Sequence, residues 1–467
     1  MFNEPSAPPH AADAAAVRAA LVSITPELLA RYDQPAPRYT SYPPVPAWSR
    51  AVGAREYRTA LSAVSAEAPA PLSIYVHLPF CAQRCLYCGC NVHITRRPDR
   101  VDTYLDLLAR ELALVSDVIG RGRPVSQLHL GGGTPNHLTE AQLERLWWLL
   151  GEAFALTADV DASIELDPRH ATTAQLAALR NLGIRRVSLG VQDLDPDVQR
   201  AIGRIQPLER VREVIDGARA VGFDGVNMDL IYGLPRQTTL GFGHTIEQVV
   251  ELAPDRIACF GYAHVPAVHP HQRALEQFGL PGRLERFALN RIAIEELTGA
   301  GYTWIGFDHF ARRGDRLERA AQARQLHRNF NGYTTMPAAH LLGFGMSAIG
   351  EVGGWLLQSE ATLDGWERAI AHGDVATVRG HRLTADDRRR GAAIARLMCD
   401  LELPIAAAAG LEPELEQLLG YAADGLVERR GDRIGVTLRG RLFLRTLCSS
   451  FDAWLPRLAE RPMVRVV

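Results

Sequence analysis

What this chain lacks narrows it first. None of its 467 residues falls in a run approaching the roughly 20 apolar positions that cross a bilayer, so no membrane partner is expected. The opening segment, MFNEPSAPPHAADAAAVRAALVS, has no basic start followed by an apolar core, and no secretory leader is expected. Charge of either sign is not in excess. Fifty-one basic against 53 acidic side chains leave a net −2, which points away from nucleic acid and anionic surfaces. Cysteine is scarce, seven in all. In the cytoplasm, the expected location, thiols stay reduced and a disulfide framework loses its footing. The balance, 47% hydrophobic and 22% charged, is that of a soluble globular protein with one large core plus smaller units. A monomer is expected.

Against that scarcity, HLPFCAQRCLYCGCNV (77–92) crowds Cys81, Cys85, Cys88 and Cys90 together. Three thiolates spaced C-x3-C-x2-C can wrap three corners of a cubane iron–sulfur cluster, leaving the fourth iron open to a ligand. Zinc prefers separated C-x2-C or Cys/His pairs, although His77 and His93 flank this loop. A four-cysteine electron-transfer cluster would draw on Cys90 instead.

From residue 72 onward, short β-branched runs alternate with amphipathic helical stretches. The runs lie at 73–80, 125–135, 162–168, 185–193, 225–235, 256–266 and 302–310. Such alternation predicts βαβ units, an α/β fold with a full or partial (β/α) barrel. Barrel chemistry sits at the C-terminal strand ends, which directs attention to His77, Glu165, Gln192, Asp229, His264 and Asp308. GGGTP (131–135) would let a ligand approach the backbone closely, or serve only as a tight turn. Glu165 can accept from a ribose or an amine, or pair with Arg169. Trp147 and Trp148, adjacent on a predicted helix, read as packing.

The rhythm stops near 350. A capped helix over 383–404 and a hairpin running into a helix over 424–447 predict a mostly helical, winged-helix-like unit. The expected division is an N-terminal arm covering the cleft (1–55), a barrel (56–360) and this C-terminal domain (361–467). The basic runs 388–390 and 429–433 permit a DNA-binding regulator, but Asp386, Asp387, Glu428 and Asp432 balance them, favouring a solvated face or a lid.

The cysteine loop, with Tyr87 before its third cysteine, resembles the radical S-adenosylmethionine (SAM) superfamily. YVHLPFCAQRCLYCGCNV, LHLGGGTPNHL, IELDPRH, SLGVQDLDPDVQRAIGRIQP, DLIYGLPRQT, GYAHVP, LHRNFNGYTT and LLGFGMSAIG together resemble the oxygen-independent coproporphyrinogen III oxidase family over nearly the whole chain. The related heme-chaperone branch typically lacks the C-G-C ending, so a heme-binding protein on the same scaffold is the alternative. The resemblance implies one [4Fe–4S] cluster on Cys81, Cys85 and Cys88, and two SAM molecules. Tyr75, Gly132, Glu165 and Ile349 would contact the first SAM, and Tyr87 is a further cofactor-binding candidate. Gly133, Thr134, Gln192, Arg204, Asp229 and Ala263 would contact the second. Cys90 and Tyr75 are candidate catalytic residues. Gly203 stands where the family commonly has Asn, in GRIQ rather than NRxQ, which leaves the geometry of that loop open. The implied reaction is oxidative decarboxylation of coproporphyrinogen III to protoporphyrinogen IX in heme biosynthesis. It needs an electron donor, such as a flavodoxin or ferredoxin, and an acceptor that the sequence does not identify. Four propionates need cations, and Arg38, Arg312 and Arg328 are the candidates.

Overall fold

The computed structural model describes residue 10 and residues 13–458. The remaining residues, including the ends of the expected arm and C-terminal domain, lie outside the described residues. One twelve-stranded sheet organises the fold. Its strands in chain order are β1 (Leu72–Leu78), β2 (Arg123–Gly132), β3 (Phe154–Leu166), β4 (Arg186–Gln192), β5 (Gly225–Tyr232), β6 (Arg256–Gly261), β7 (Tyr302–Trp304), β8 (His309–Arg312), β9 (His340–Phe344), β10 (Ile349–Val352), β11 (Trp355–Ser359) and β12 (Thr377–Arg382). Across the sheet the order is β12-β11-β10-β9-β1-β2-β3-β4-β5-β6-β8-β7. Strands β9 and β1 to β6 run parallel, each with its neighbour, as a partial barrel requires.

The sequence explains this core. Every residue of β1 is buried, as expected of a strand covered on both faces. The crossover helices Pro98–Ile119, Glu140–Ala153, Thr173–Asn181, Leu208–Ala220 and Thr239–Leu252 each present an apolar stripe to the sheet. Thr139, Thr172 and Thr238 cap three of them by accepting from a backbone N–H in the first turn. All the polar strand ends therefore gather at one mouth.

Two expectations need correction. The run 302–310 is not one barrel strand. It folds into β7 and β8, an antiparallel pair that closes the β6 edge. Between them lies Gly306, where an added Cβ would run into the Tyr333 ring, so the missing side chain leaves room for that ring. The boundary at 360 also falls inside the sheet. Gly353 and Gly354, both at positive φ, form a two-residue turn between β10 and β11, and β12 then extends the sheet to Arg382.

The described part of the N-terminal segment is largely helical. Helices Ala14–Val22 and Pro26–Tyr32 are capped by Asp13 and Thr25. The C-terminal unit has the expected parts. Helix Ala385–Asp400 opens on a Thr384/Asp387 capping box, and hairpin Val427–Arg430/Arg433–Val436 gains a third strand, Glu402–Pro404. Its closing helices return to the barrel, where the Arg441 guanidinium lies 4.2 Å over Trp304 and donates to the Trp304 carbonyl. The basic runs are engaged internally. Arg390 pairs with Asp386 (2.7 Å) and Glu414 (2.8 Å), and Arg430 pairs with Glu428. Acidic neighbours thus balance part of each basic run. Trp147 packs partly buried against the core, whereas Trp148 is 60% exposed.

Candidate active site

The chain leaving β1 makes a short parallel pairing, Phe80–Cys81 with His93–Ile94, and the cysteine loop bulges between these strands. The loop is tied down at several points. The Leu86 amide donates to the Ile202 carbonyl (3.0 Å) and the Thr95 amide to the Cys81 carbonyl (3.0 Å). Gln272 donates to the Tyr87 carbonyl (2.9 Å), and His271 hydrogen-bonds the Cys88 carbonyl (2.8 Å). His77, at the end of β1, bonds the Asn91 carbonyl (2.9 Å) through one ring nitrogen and the Tyr75 hydroxyl (2.9 Å) through the other.

All four loop cysteines line one cavity of about 500 Å3 at the barrel mouth. Gly132, Gly133, Thr134, Glu165, Gln192, Arg204, Asp229, Ala263, Tyr87 and Arg38 share its wall. The sequence thus placed most of its candidates around a single space. Four lie elsewhere. Tyr75 is buried in β1, stacked 5.9 Å from His129. Ile349, on β10 beyond the parallel strands, packs with Trp48 and Leu356. Arg328 stands behind the wall. It lies over Phe307 (5.3 Å), a ring it shares with Arg38 (5.7 Å), and donates to the Arg38 carbonyl at 3.4 Å. Arg312 is a correction. Because β8 runs antiparallel to β6, Arg312 emerges at the opposite end of the barrel, beside Arg256 and Asp255.

The thiols differ electrically. The Cys90 thiol and amide (N to Cys88 Sγ, 3.4 Å), with Arg84 and Arg204, hold the Cys88 thiol down at about 6. Burial pushes Cys81 up to about 11, despite its 3.2 Å hydrogen bond to Thr134, and the thiolates of Cys88 and Cys85 add repulsion. Thiolates that oppose one another around a common space are compensated by metal. Among the described residues no three His, Cys, Asp or Glu side chains converge on one ion. Arg204 donates to Cys85 Sγ (3.6 Å), Asp167 (2.9 Å) and the Gly190 carbonyl (2.6 Å), while its buried Nε has no partner.

The glycine segment is close-packed. A Cβ on Gly133 would fall 2.7 Å from the Pro79 backbone, and one on Gly132, at φ +119, would fall 2.8 Å from the His77 ring. The Gly132 amide donates to Glu165 at 3.1 Å. Burial would raise the Glu165 carboxyl, but His129 (3.3 Å), this amide and His77 together hold it below the ordinary value. Across the cavity, burial and the Glu165 charge push Asp229 up to about 6, against hydrogen bonds from Ser188 (3.0 Å) and Asn227 (2.9 Å). Two neighbouring carboxylates thus keep different affinities for a proton.

Residues 75–249 match the family model described as the radical SAM superfamily. The curated oxygen-independent coproporphyrinogen III oxidase of Synechocystis is 39% identical, covering 95% of this chain and 97% of that protein. Its counterpart from Escherichia coli is 41% identical, covering 93% and 96%. The solved structure of the Escherichia coli coproporphyrinogen III oxidase, described as a radical SAM enzyme, superposes with a TM-score of 0.85 at 40% identity, covering 89% of this chain and 97% of that one. The chain belongs to the oxygen-independent coproporphyrinogen III oxidase family.

Within this family the departure at Gly203 becomes intelligible. Gly203 closes helix Pro196–Ile202 at φ 68, ψ 32, a left-handed C-cap. Glycine and asparagine are the two residues that adopt this conformation most readily, so the exchange preserves the loop that delivers Arg204. Asp167 escaped the sequence analysis. Asp167 holds Arg169 (2.7 Å) and Arg204 (2.9 Å) against Cys85, so Arg169 is paired with Asp167 rather than with Glu165. The signal was present in ELDPR, where a second carboxylate follows Glu165 at the same strand end.

Proposed function

We propose that this chain carries out the oxygen-independent oxidative decarboxylation of coproporphyrinogen III to protoporphyrinogen IX, turning two propionates into vinyl groups. The observation that supports this most directly is the single mouth cavity. The loop cysteines line it together with Arg204, Gln192 and Asp229, a set suited to an amino acid's charged groups. The donor set fits a [4Fe–4S] cluster. Cys81, Cys85 and Cys88 would hold it, and the orphaned Arg204 Nε marks a buried donor awaiting an anionic partner. When bound, cluster and SAM supply a 5′-deoxyadenosyl radical that removes a hydrogen atom from the propionate β-carbon.

The chain's own groups bind, orient and enclose. Gly131–Gly133 expose backbone to which a ligand can lie close, and Glu165 offers a carboxylate fixed by Gly132 and His129. Gln192, at φ 68, and Arg204 both crowd Gly190, where a Cβ would meet them at 2.9 and 3.2 Å. These two, with Asp229, provide the donor, cation and acceptor for a second SAM. Arg38, held to Asp308 at 2.7 Å and lying 4.8 Å over Phe260, faces the cavity as a carboxylate ligand, with Arg328 behind it. His309 and Arg38 hold the buried Asp308 carboxyl well below its usual range. Arg38 brings the N-terminal segment to the cavity wall, and an enclosed site would keep water from a reactive radical. Each vinyl formed releases one CO2 and one electron to an acceptor, and a one-electron donor such as a flavodoxin or ferredoxin starts each round. No helix among the described residues is long and apolar enough to cross a membrane, and thiol ligands suit a reducing cytoplasm.

The test is an anaerobic assay of cluster-reconstituted protein with SAM, a strong reductant, coproporphyrinogen III and an electron acceptor. 5′-Deoxyadenosine and porphyrins are quantified together. Protoporphyrinogen IX with matching 5′-deoxyadenosine is the expected result. 5′-Deoxyadenosine without any decarboxylation retains the radical enzyme and discards this substrate.

A further inference from the structure

Nine large apolar side chains are exposed among the described residues, and three of them border the cysteine loop. Ile94, 39% exposed, pairs in register with Cys81. Ile205, 54% exposed, follows Arg204, which donates to Cys85 Sγ. Val268, 57% exposed, precedes His269, whose ring lies 3.7 Å from where a Cβ on Gly89 would stand. The segments that carry them are fastened to the loop backbone. Thr95 donates to the Cys81 carbonyl, Leu86 to the Ile202 carbonyl and Gln272 to the Tyr87 carbonyl, and His271 bonds the Cys88 carbonyl. Gln83, Arg84 and Gly89 to Asn91 remain exposed, so the loop itself can be reached from solvent.

The charge on these segments is one-sided. Arg96 and Arg273 are exposed, and among the described residues neither has a carboxylate partner. Arg84 reaches only the His271 ring and the Val92 carbonyl, both at 3.5 Å. The acidic side chains of residues 81–100, 197–205 and 262–280 are already paired, Asp99 with Arg97, Asp197 with Arg200 and Glu276 with His264. The surplus beside the loop is therefore positive in a chain whose total is −2. Exposed apolar side chains set among unpaired cations suit a transient contact with an acidic protein. The charges speed its arrival, and a small apolar centre lets it leave.

We propose that this surface docks an acidic one-electron carrier protein, with Arg96 and Arg273 steering it and Ile94, Ile205 and Val268 forming the centre of the contact. The inference rests on the proposed function and deepens it, since that reaction needs one electron delivered to the cysteine loop in each round. The carrier gives up one electron there and leaves oxidised by one electron, and no atoms are exchanged. The loop is the part of the site that solvent reaches and that these cations surround, so it is where a protein donor can approach.

The test compares reconstituted wild type with Arg96→Glu/Arg273→Glu and with Arg312→Glu/Arg313→Glu, which reverses two exposed arginines at the opposite end of the barrel. Each is first shown to have wild-type iron content and melting temperature. Calorimetry measures the Kd for an acidic flavodoxin and for an acidic ferredoxin. Stopped-flow absorption measures how fast each reduced carrier bleaches the cluster before any substrate is added. At about 50 mM salt, Arg96→Glu/Arg273→Glu should weaken the tighter of the two carriers about tenfold and slow bleaching in proportion. At about 0.5 M salt, where screening acts within a few ångströms, the gap should shrink below about threefold. Val268→Ser should weaken binding at both salt concentrations, because salt does not screen a lost apolar contact. Arg312→Glu/Arg313→Glu should stay within about twofold of wild type. All variants should decarboxylate equally with a strong chemical reductant in place of the carrier. Equal weakening by the two double variants, an unchanged Kd for Arg96→Glu/Arg273→Glu, loss of its chemically driven rate, or binding of neither carrier by wild type overturns the inference. Failure of the wild type to decarboxylate with the chemical reductant strikes the proposed function instead, and the binding measurements then stand on their own.

Discussion

Asp167→Asn is the most informative single change outside the cysteines. The carboxylate is buried, and although burial opposes its charge, Arg204 and Arg169 hold it at about 2, against an ordinary 3.8. That difference of 1.8 is worth about 2 kcal/mol of folding stability at neutral pH. Because the folded value is depressed, the contribution is fully present above 3.8 and is lost only as pH falls towards 2. Removing the charge also leaves two guanidiniums facing each other beside Cys85, so the total cost should be about 2–4 kcal/mol. Urea unfolding of the reconstituted protein should show this gap at pH 7 and leave it unchanged at pH 5. Pairing Asp167→Asn with Arg204→Gln should recover part of the loss, because the second change removes the uncompensated cation. A gap below about 0.5 kcal/mol, within the range of an ordinary surface substitution, would refute the view that Asp167 anchors this wall. So would strictly additive losses in the double variant.

Three other outcomes are expected. Cys90→Ser should retain its iron, whereas serine at Cys81, Cys85 or Cys88 should lose it, as read by iron content and the cluster's visible absorption; iron loss in Cys90→Ser would break the three-ligand assignment. Asp229→Asn should stabilise the protein at pH 8 by about 1–3 kcal/mol and abolish activity. The Asp229 carboxyl is raised from 3.8 to about 6, so the stability of its neutral form is present below 3.8 and lost as pH rises through 6, and the gap should close by pH 4; equal gaps at pH 8 and pH 4 would contradict this. Gly203→Asn should cost less than about 1 kcal/mol and keep activity, whereas Gly203→Val, β-branched at φ 68, should lose both; equal behaviour of the two variants would remove the C-cap explanation.

Much of this molecule could be read from the sequence, because its signals are local. A strand end, a cysteine spacing or a Thr-x-x-Asp cap involves only a few neighbouring residues, and β1 to β6, the cysteine loop and the capping box at Thr384 all appear where those signals lie. What escaped depends on pairing direction and on contacts between residues far apart in the chain. Arg312 looked like a mouth residue because 302–310 looked like one more parallel strand. The antiparallel pairing of β8 with β6 and β7 reverses it and carries Arg312 to the far end. The boundary at 360 failed for a related reason, since an antiparallel edge can be added by a Gly-Gly turn with no change in composition.

Asp167 shows the same limit from the other side. ELDPR displays its carboxylate but not the setting in which it holds Arg169 and Arg204, because Arg204 arrives on the loop closed by Gly203 and both guanidiniums meet Cys85, far off in the chain. Local spacing marks the cysteine loop. The charges set against it are supplied by the tertiary fold.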